Sequence, residues 1–139
     1  YRTDRKKKDY LQIHVVRADA SPDDFGSDAA LTDINGVNWA PYWHPTEPWI
    51  IWTGADHSDP TKRPNYDLWM LAYEIDAGGR LRGVGEPIRV TDNPAADVLP
   101  VFSPDGSRLM WTAGRTPDRR SQLWIADFRL PETVKPASN

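Results

Sequence analysis

Short apolar runs of strand length alternate along the chain with polar breaks rich in Pro and Gly. The runs begin at Leu11 ("LQIHVV"), Asn38 ("NWAPYW"), Trp49 ("WIIWTGA"), Tyr66 ("YDLWMLA"), Glu86 ("EPIRVT"), Asp97 ("DVLPVF"), Arg108 ("RLMWTA") and Ser121 ("SQLWIADF"). No segment has a 3.6-residue apolar period, so the pattern predicts strands and little or no α-helix. Ile50, Ile51 and Trp52 are apolar on consecutive positions, as are Leu123, Trp124 and Ile125. A sheet with one wet face alternates apolar and polar residues, so consecutive runs predict sheets covered on both faces.

The runs also repeat. "LTDINGVNWAPYWHPTEPWIIWTGA" from Leu31 aligns without a gap on "VTDNPAADVLPVFSPDGSRLMWTAG" from Val90, 59 positions later. Thr32, Asp33, Pro41, Pro45, Trp52 and Thr53 recur as Thr91, Asp92, Pro100, Pro104, Trp111 and Thr112. A third run follows each, and its anchors Gln12, Asp67 and Gln122 are spaced by 55. Each unit reads as four short strands: A at 97–102, B at 108–113, C at 121–128, and D one repeat earlier at 86–91. "SPDG" at 103–106 is a tight A–B turn, with Pro fixing φ and Asp-Gly accepting the turn backbone. "AGG" at 77–79 reads as a flexible loop leading towards D. Internal repeats of about this period, built from four-stranded sheets, point to a β-propeller.

"DVLPVFSPDGSRLMWTAGR…SQLWIAD" resembles the TolB-like β-propeller repeat. Asp97, Pro100, Ser103, Pro104, Asp105, Gly106, Arg115 and Asp127 sit on that pattern. The earlier unit departs from it: His44, Thr46 and Glu47 replace Ser, Asp and Gly, so its A–B turn must differ. The resemblance implies an all-β chain covering about two and a half four-stranded antiparallel blades. Residues 1–35 end a preceding blade, with "YRTDR" at 1–5 as the end of its strand B. Residues 36–92 form a full degenerate blade, 93–130 the last blade, and 131–139 a tail. Because the chain opens in mid-blade, the remaining blades are expected from sequence outside it, in preference to identical subunits.

Composition adds limits. Thirteen Pro and seven Trp in 139 residues suit an all-β domain with many turns. The formal net charge of −3 makes no global electrostatic case for nucleic acid. Cysteine is absent, which removes disulfides, thiolate zinc sites and cysteine nucleophiles. No apolar run approaches the ~18 residues of a membrane helix.

Candidate chemistry is sparse. There is no G-x-S-x-G elbow, and His14, His44 and His57 fall on a C strand, an A–B turn and a B–C loop. No catalytic, metal or cofactor residues are therefore expected. Asp56, His57 and Asp59 in "GADHSDP" are metal-ligand types, but a solvated loop with local turn hydrogen bonds explains them as well. "SPDDFGSD" at 21–28 lacks the spacing of a calcium loop. The basic run "RTDRKKK" at 2–8 aligns with the B–C loop carrying Lys62 and Arg63. It suits an anionic partner or, more simply, a solvated loop. Asn38 and its counterpart Asp97 precede the innermost strands, and the resemblance puts that position near the mouth of a central channel. A polar group there binds a ligand or ion, or caps the strand. Trp52, Trp69, Trp111 and Trp124 are expected in the core, and for Trp39 and Trp49 core or inter-blade packing is preferred over exposure for recognition.

The resemblance implies a non-enzymatic scaffold for protein partners, periplasmic or otherwise extracytoplasmic, with no cofactor, nucleic acid or transmembrane segment. Two alternatives stand beside it. One is a propeller domain that gates substrate for a larger hydrolase or peptidase. The other is an accessory subunit of a membrane-associated assembly.

Overall fold

The fold, a computed structural model, describes residues 1–19 and 28–131. Among these residues there are ten strands and no helix. They form three antiparallel sheets, each a simple meander. The first contains β1 (Arg2–Thr3), β2 (Gln12–Val15) and β3 (Ala29–Ala30). The second contains β4 (Gly36–Trp43), β5 (Trp49–Asp56), β6 (Asp67–Ile75) and β7 (Leu81–Arg89). The third contains β8 (Asp97–Phe102), β9 (Arg108–Ala113) and β10 (Gln122–Asp127).

The consecutive apolar run of β5 has the predicted cause, because the second sheet is covered on both sides. Side chains alternate across a strand. Trp49 and Ile51 enter one core with Leu68, Met70, Phe102, Leu109 and Trp111, which joins the second sheet to the third. Ile50 and Trp52 enter another with Ile13, Leu31 and Leu71, which joins the first sheet to the second. Ile51 has no exposed surface, and truncating such a side chain to Ala typically costs about 2–5 kcal/mol.

The repeat survives as hydrogen bonds. Asn38 N–H donates to the Leu11 carbonyl and Asp97 N–H to the Tyr66 carbonyl, both at 2.8 Å. Thr32 Oγ1 accepts the Ile13 N–H at 2.9 Å, and Thr91 Oγ1 accepts the Leu68 N–H at 3.0 Å. β4 and β8 are bulged at the same place, between Trp39 and Tyr42 and between Val98 and Val101. At these bulges Ala40 and Leu99, each just before the repeated Pro, take φ of 50° and 59°. Thr53 Oγ1 of β5 accepts the Leu99 N–H at 3.0 Å, which ties the second bulge to the neighbouring sheet.

The two A–B turns differ as the substitutions require. In the Ser-Pro-Asp-Gly turn, Ser103 Oγ donates to Asp105 at 2.6 Å and accepts the Arg108 N–H at 3.0 Å. In the other turn His44 holds the position of Ser103, and its Nδ1 accepts the Glu47 N–H at 3.1 Å. The His44 ring also packs edge-on against Phe102 at 4.7 Å. A Cβ placed on Gly106, where φ is 73°, would come within 2.4 Å of that ring, so the two turns meet closely.

The structure alters several details. β7 begins at Leu81, five residues before the expected start of strand D, and ends at Arg89. "AGG" is a tight turn rather than a loose loop, closed by Asp76 N–H to the Arg80 carbonyl and Gly79 N–H to the Asp76 carbonyl, both 2.9 Å. Trp49 is buried at 6% exposure, as preferred for it, whereas Trp43, at 43%, stands out, edge-on to Tyr73.

Candidate functional site

Asn38 and Asp97 are both fully buried, at 0% exposure. Each accepts the indole N–H of a Trp on the next strand of its own sheet, Trp52 at 2.8 Å and Trp111 at 3.2 Å. Their other partners differ in a coordinated way. Asn38 Nδ2 donates to Gln12 Oε1 at 3.2 Å, a neutral pair across the first sheet junction. At the second junction both positions are acidic, Asp67 replacing Gln12 and Asp97 replacing Asn38. Each acid brings its own guanidinium. Arg115 grips Asp97 through Nε at 3.1 Å and Nη2 at 2.5 Å, and Arg89 holds Asp67 at 2.7 Å. The equivalents of Arg115 and Arg89 at the first junction are Asp56 and Ala30, so no guanidinium is supplied where none is needed. Burial pushes the Asp67 carboxyl above its ordinary value, opposed by Arg89 and reinforced by the Asp97 charge.

Arg115 is also fixed by two aromatic faces, 5.2 Å from the Trp111 ring and 5.5 Å from the Trp124 ring, a cation–π arrangement. It lines an open cleft of about 940 Å3 built from residues 63–66, 93–96, 98, 112–117, 119 and 121. These are the connections β5–β6, β7–β8 and β9–β10 with the adjoining strand ends. They bring Arg63, Arg115 and Arg119 to one cleft. Sequence reading put only Arg115 on a motif. The three arginines are scattered along the chain, and their meeting depends on the stacking of two sheets.

The other candidates are dispersed. Asp56 Oδ1 accepts the Ser58 N–H at 2.8 Å, Asp59 Oδ1 accepts the Thr61 N–H at 3.0 Å, and the His57 ring tilts against Tyr10. No group of three metal-ligating side chains occurs among the described residues. The basic run is largely engaged internally: Lys6 reaches Asp33, Lys7 lies over Tyr10, and Arg2 lies 5.9 Å from the Trp39 ring. Of "SPDDFGSD", only Asp28 lies within the described residues. Arg5 bonds it at 2.8 and 2.7 Å, His14 Nδ1 lies 2.5 Å from it, and Tyr1 donates its hydroxyl to it. Burial raises the Asp28 pKa, but the bonds from Tyr1, Arg5 and His14 outweigh it and bring the value to about 2. The three histidines stand apart, on β2, the β4–β5 turn and the loop after β5.

Compared with known protein families and with curated proteins, the chain matches neither a family model nor a characterised protein. No described helix is long and apolar enough to cross a membrane.

Proposed function

We propose that the chain is a section of a β-propeller that serves as a non-catalytic scaffold for protein partners. By the resemblance of its repeat to the TolB-like proteins, the proposed location is extracytoplasmic. The observation that carries the reading is the repeated junction. The third sheet covers Leu68 and Met70 of β6, as the second covers Ile13 of β2. Their equivalents on β10 are Leu123 and Ile125, which are 70% and 63% exposed. Thr112 on β9 likewise repeats Thr53, the residue that receives the bulge of the next sheet. Isolated exposed apolar residues are ordinary, but a patch repeating a buried docking surface marks an interaction face. A further sheet of the same repeat fits it, from flanking sequence or another copy. Propellers close after roughly four to eight such sheets. The buried polar groups are committed to joining sheets, so loops at the sheet ends remain as the recognition surface.

Photo-crosslinking groups at Asn93 and Thr116 in the intact protein test the partner assignment in cells. The expected result is a discrete protein adduct from these loop positions and none from a control at Ile75. Absence of any loop adduct contradicts the scaffold. So does catalytic turnover by the purified protein that is lost on substituting a residue of this chain.

A further inference from the structure

The cleft between the second and third sheets is lined by three guanidinium groups and by no carboxylate, in a chain whose formal net charge is −3. Four of the acids nearby are already matched. Asp97 is taken by Arg115, Asp67 by Arg89, Asp59 by Lys62 and Asp118 by Arg120. Among the described residues Arg63 and Arg119 make no ion pair. Arg115 uses Nε and Nη2 on Asp97, and its Nη1 has no hydrogen-bond partner among the described residues.

The cleft is organised around these groups. Arg115 cannot swing freely, because Asp97 grips it at one edge and Trp111 and Trp124 bound it. Arg119 is held in the left-handed region at φ 52°, and its N–H donates to the Thr116 carbonyl at 2.8 Å. Gly114 permits this fold-back, since a Cβ there would lie 2.9 Å from the Arg119 carbonyl oxygen. Non-glycine residues held in that region cluster at functional sites. Pro64, Tyr66, Pro94, Val98 and Pro117 supply apolar and aromatic surface between the charges.

We infer that this cleft binds an acidic, extended peptide segment of a protein partner. A planar guanidinium pairs with a carboxylate through two parallel hydrogen bonds, and Arg115 on Asp97 already shows that pairing within the site. A volume of about 940 Å3 exceeds the need of a single small anion and lies at the upper end of ordinary ligand pockets. The apolar walls suit side chains between the acids. The inference rests on the protein-binding reading and names the chemistry of the partner.

The test uses the intact protein and two blocked hexapeptides, one carrying four Asp or Glu with two Leu, the other with the matching Asn and Gln. Binding is followed by tryptophan fluorescence, since Trp111 and Trp124 lie against Arg115. The acidic peptide is expected to bind at least about tenfold more tightly than its amide counterpart, the scale of one charge-assisted hydrogen bond. Its affinity should fall between 50 and 200 mM salt. The double variant R63Q/R119Q should lose at least about tenfold in affinity with unchanged thermal unfolding, both side chains being exposed. Equal binding of the two peptides, no binding of the acidic one, or full affinity in R63Q/R119Q overturns the inference. Complete displacement of the acidic peptide by low-millimolar inorganic phosphate also overturns it, leaving an unspecific anion site. A loop crosslink that persists unchanged in R63Q/R119Q removes this cleft from recognition while leaving the scaffold reading intact.

Discussion

Asn38 and Asp97 accept the same indole donor in two successive sheet junctions, from Trp52 at 2.8 Å and from Trp111 at 3.2 Å. Only Asp97 also carries a bidentate guanidinium, that of Arg115. The indole needs an acceptor oxygen, which an amide or a carboxylate supplies equally. The guanidinium needs the charge. Asp97→Asn should therefore cost less than Asp97→Ala, for which the loss of a buried pair predicts about 3 kcal/mol, the lower end because Arg115 is 23% exposed. Asn38→Asp should destabilise, since it places a charge where no guanidinium waits. Urea unfolding followed by tryptophan fluorescence checks the order.

Thr53 is the contact through which the second sheet receives the bulge of the third. Thr53→Val keeps the shape and leaves the Leu99 N–H without its acceptor, a loss of about 1–3 kcal/mol. Amide exchange at Leu99 should accelerate with it. An unchanged exchange rate means that the bulge is held by other contacts.

Gly106 combines a positive φ with close contact to His44. Gly106→Ala should destabilise through both, the backbone component alone being about 1–2 kcal/mol. In a double-mutant cycle, His44→Ala should relieve the contact and leave the backbone cost. Additive effects count against the meeting of the two turns.

The carboxylates set opposite pH trends. Asp28 has its pKa lowered to about 2 from 3.8, so its contribution is complete above the unfolded value. That contribution is lost as pH falls from about 4 towards 2. Asp67 has its pKa raised, chiefly by burial. Its neutral form suits the fold better, so stability falls as pH rises through the carboxylate range to its folded value. Asp67→Asn should flatten that part of the profile. Asp105, exposed in its turn, should titrate at about 2, because Ser103 Oγ and the Ser107 N–H and hydroxyl donate to it. Carboxyl-detected NMR titration reads all three.

The strands and their order were legible because β propensity, Pro-Gly punctuation and a repeat agreed. The consecutive apolar run at Ile50–Trp52 marked a sheet covered on both faces, and the structure places it there. The start of β7 was not legible, since "LRGVG" is glycine-rich and weakly apolar and joins the sheet only by pairing with β6. Trp49, although it breaks the repeat, is buried against the neighbouring sheet, the packing role preferred for it over exposure. The candidate positions Asn38 and Asp97 were visible as a repeat. Their role as indole acceptors and the matching of Asp67 and Asp97 to Arg89 and Arg115 were not, because those contacts join side chains 14 to 22 residues apart that meet only when the strands of a sheet pair.

The central claim is that the outer face of the third sheet is a docking face like that of the second. Solvent paramagnetic relaxation at the methyls of Leu123 and Ile125, measured in the assembled intact protein, tests it most directly. The account predicts shielding comparable to that of Leu68 and Met70. Full solvent exposure of both methyls, with β10 still folded on β9, contradicts it.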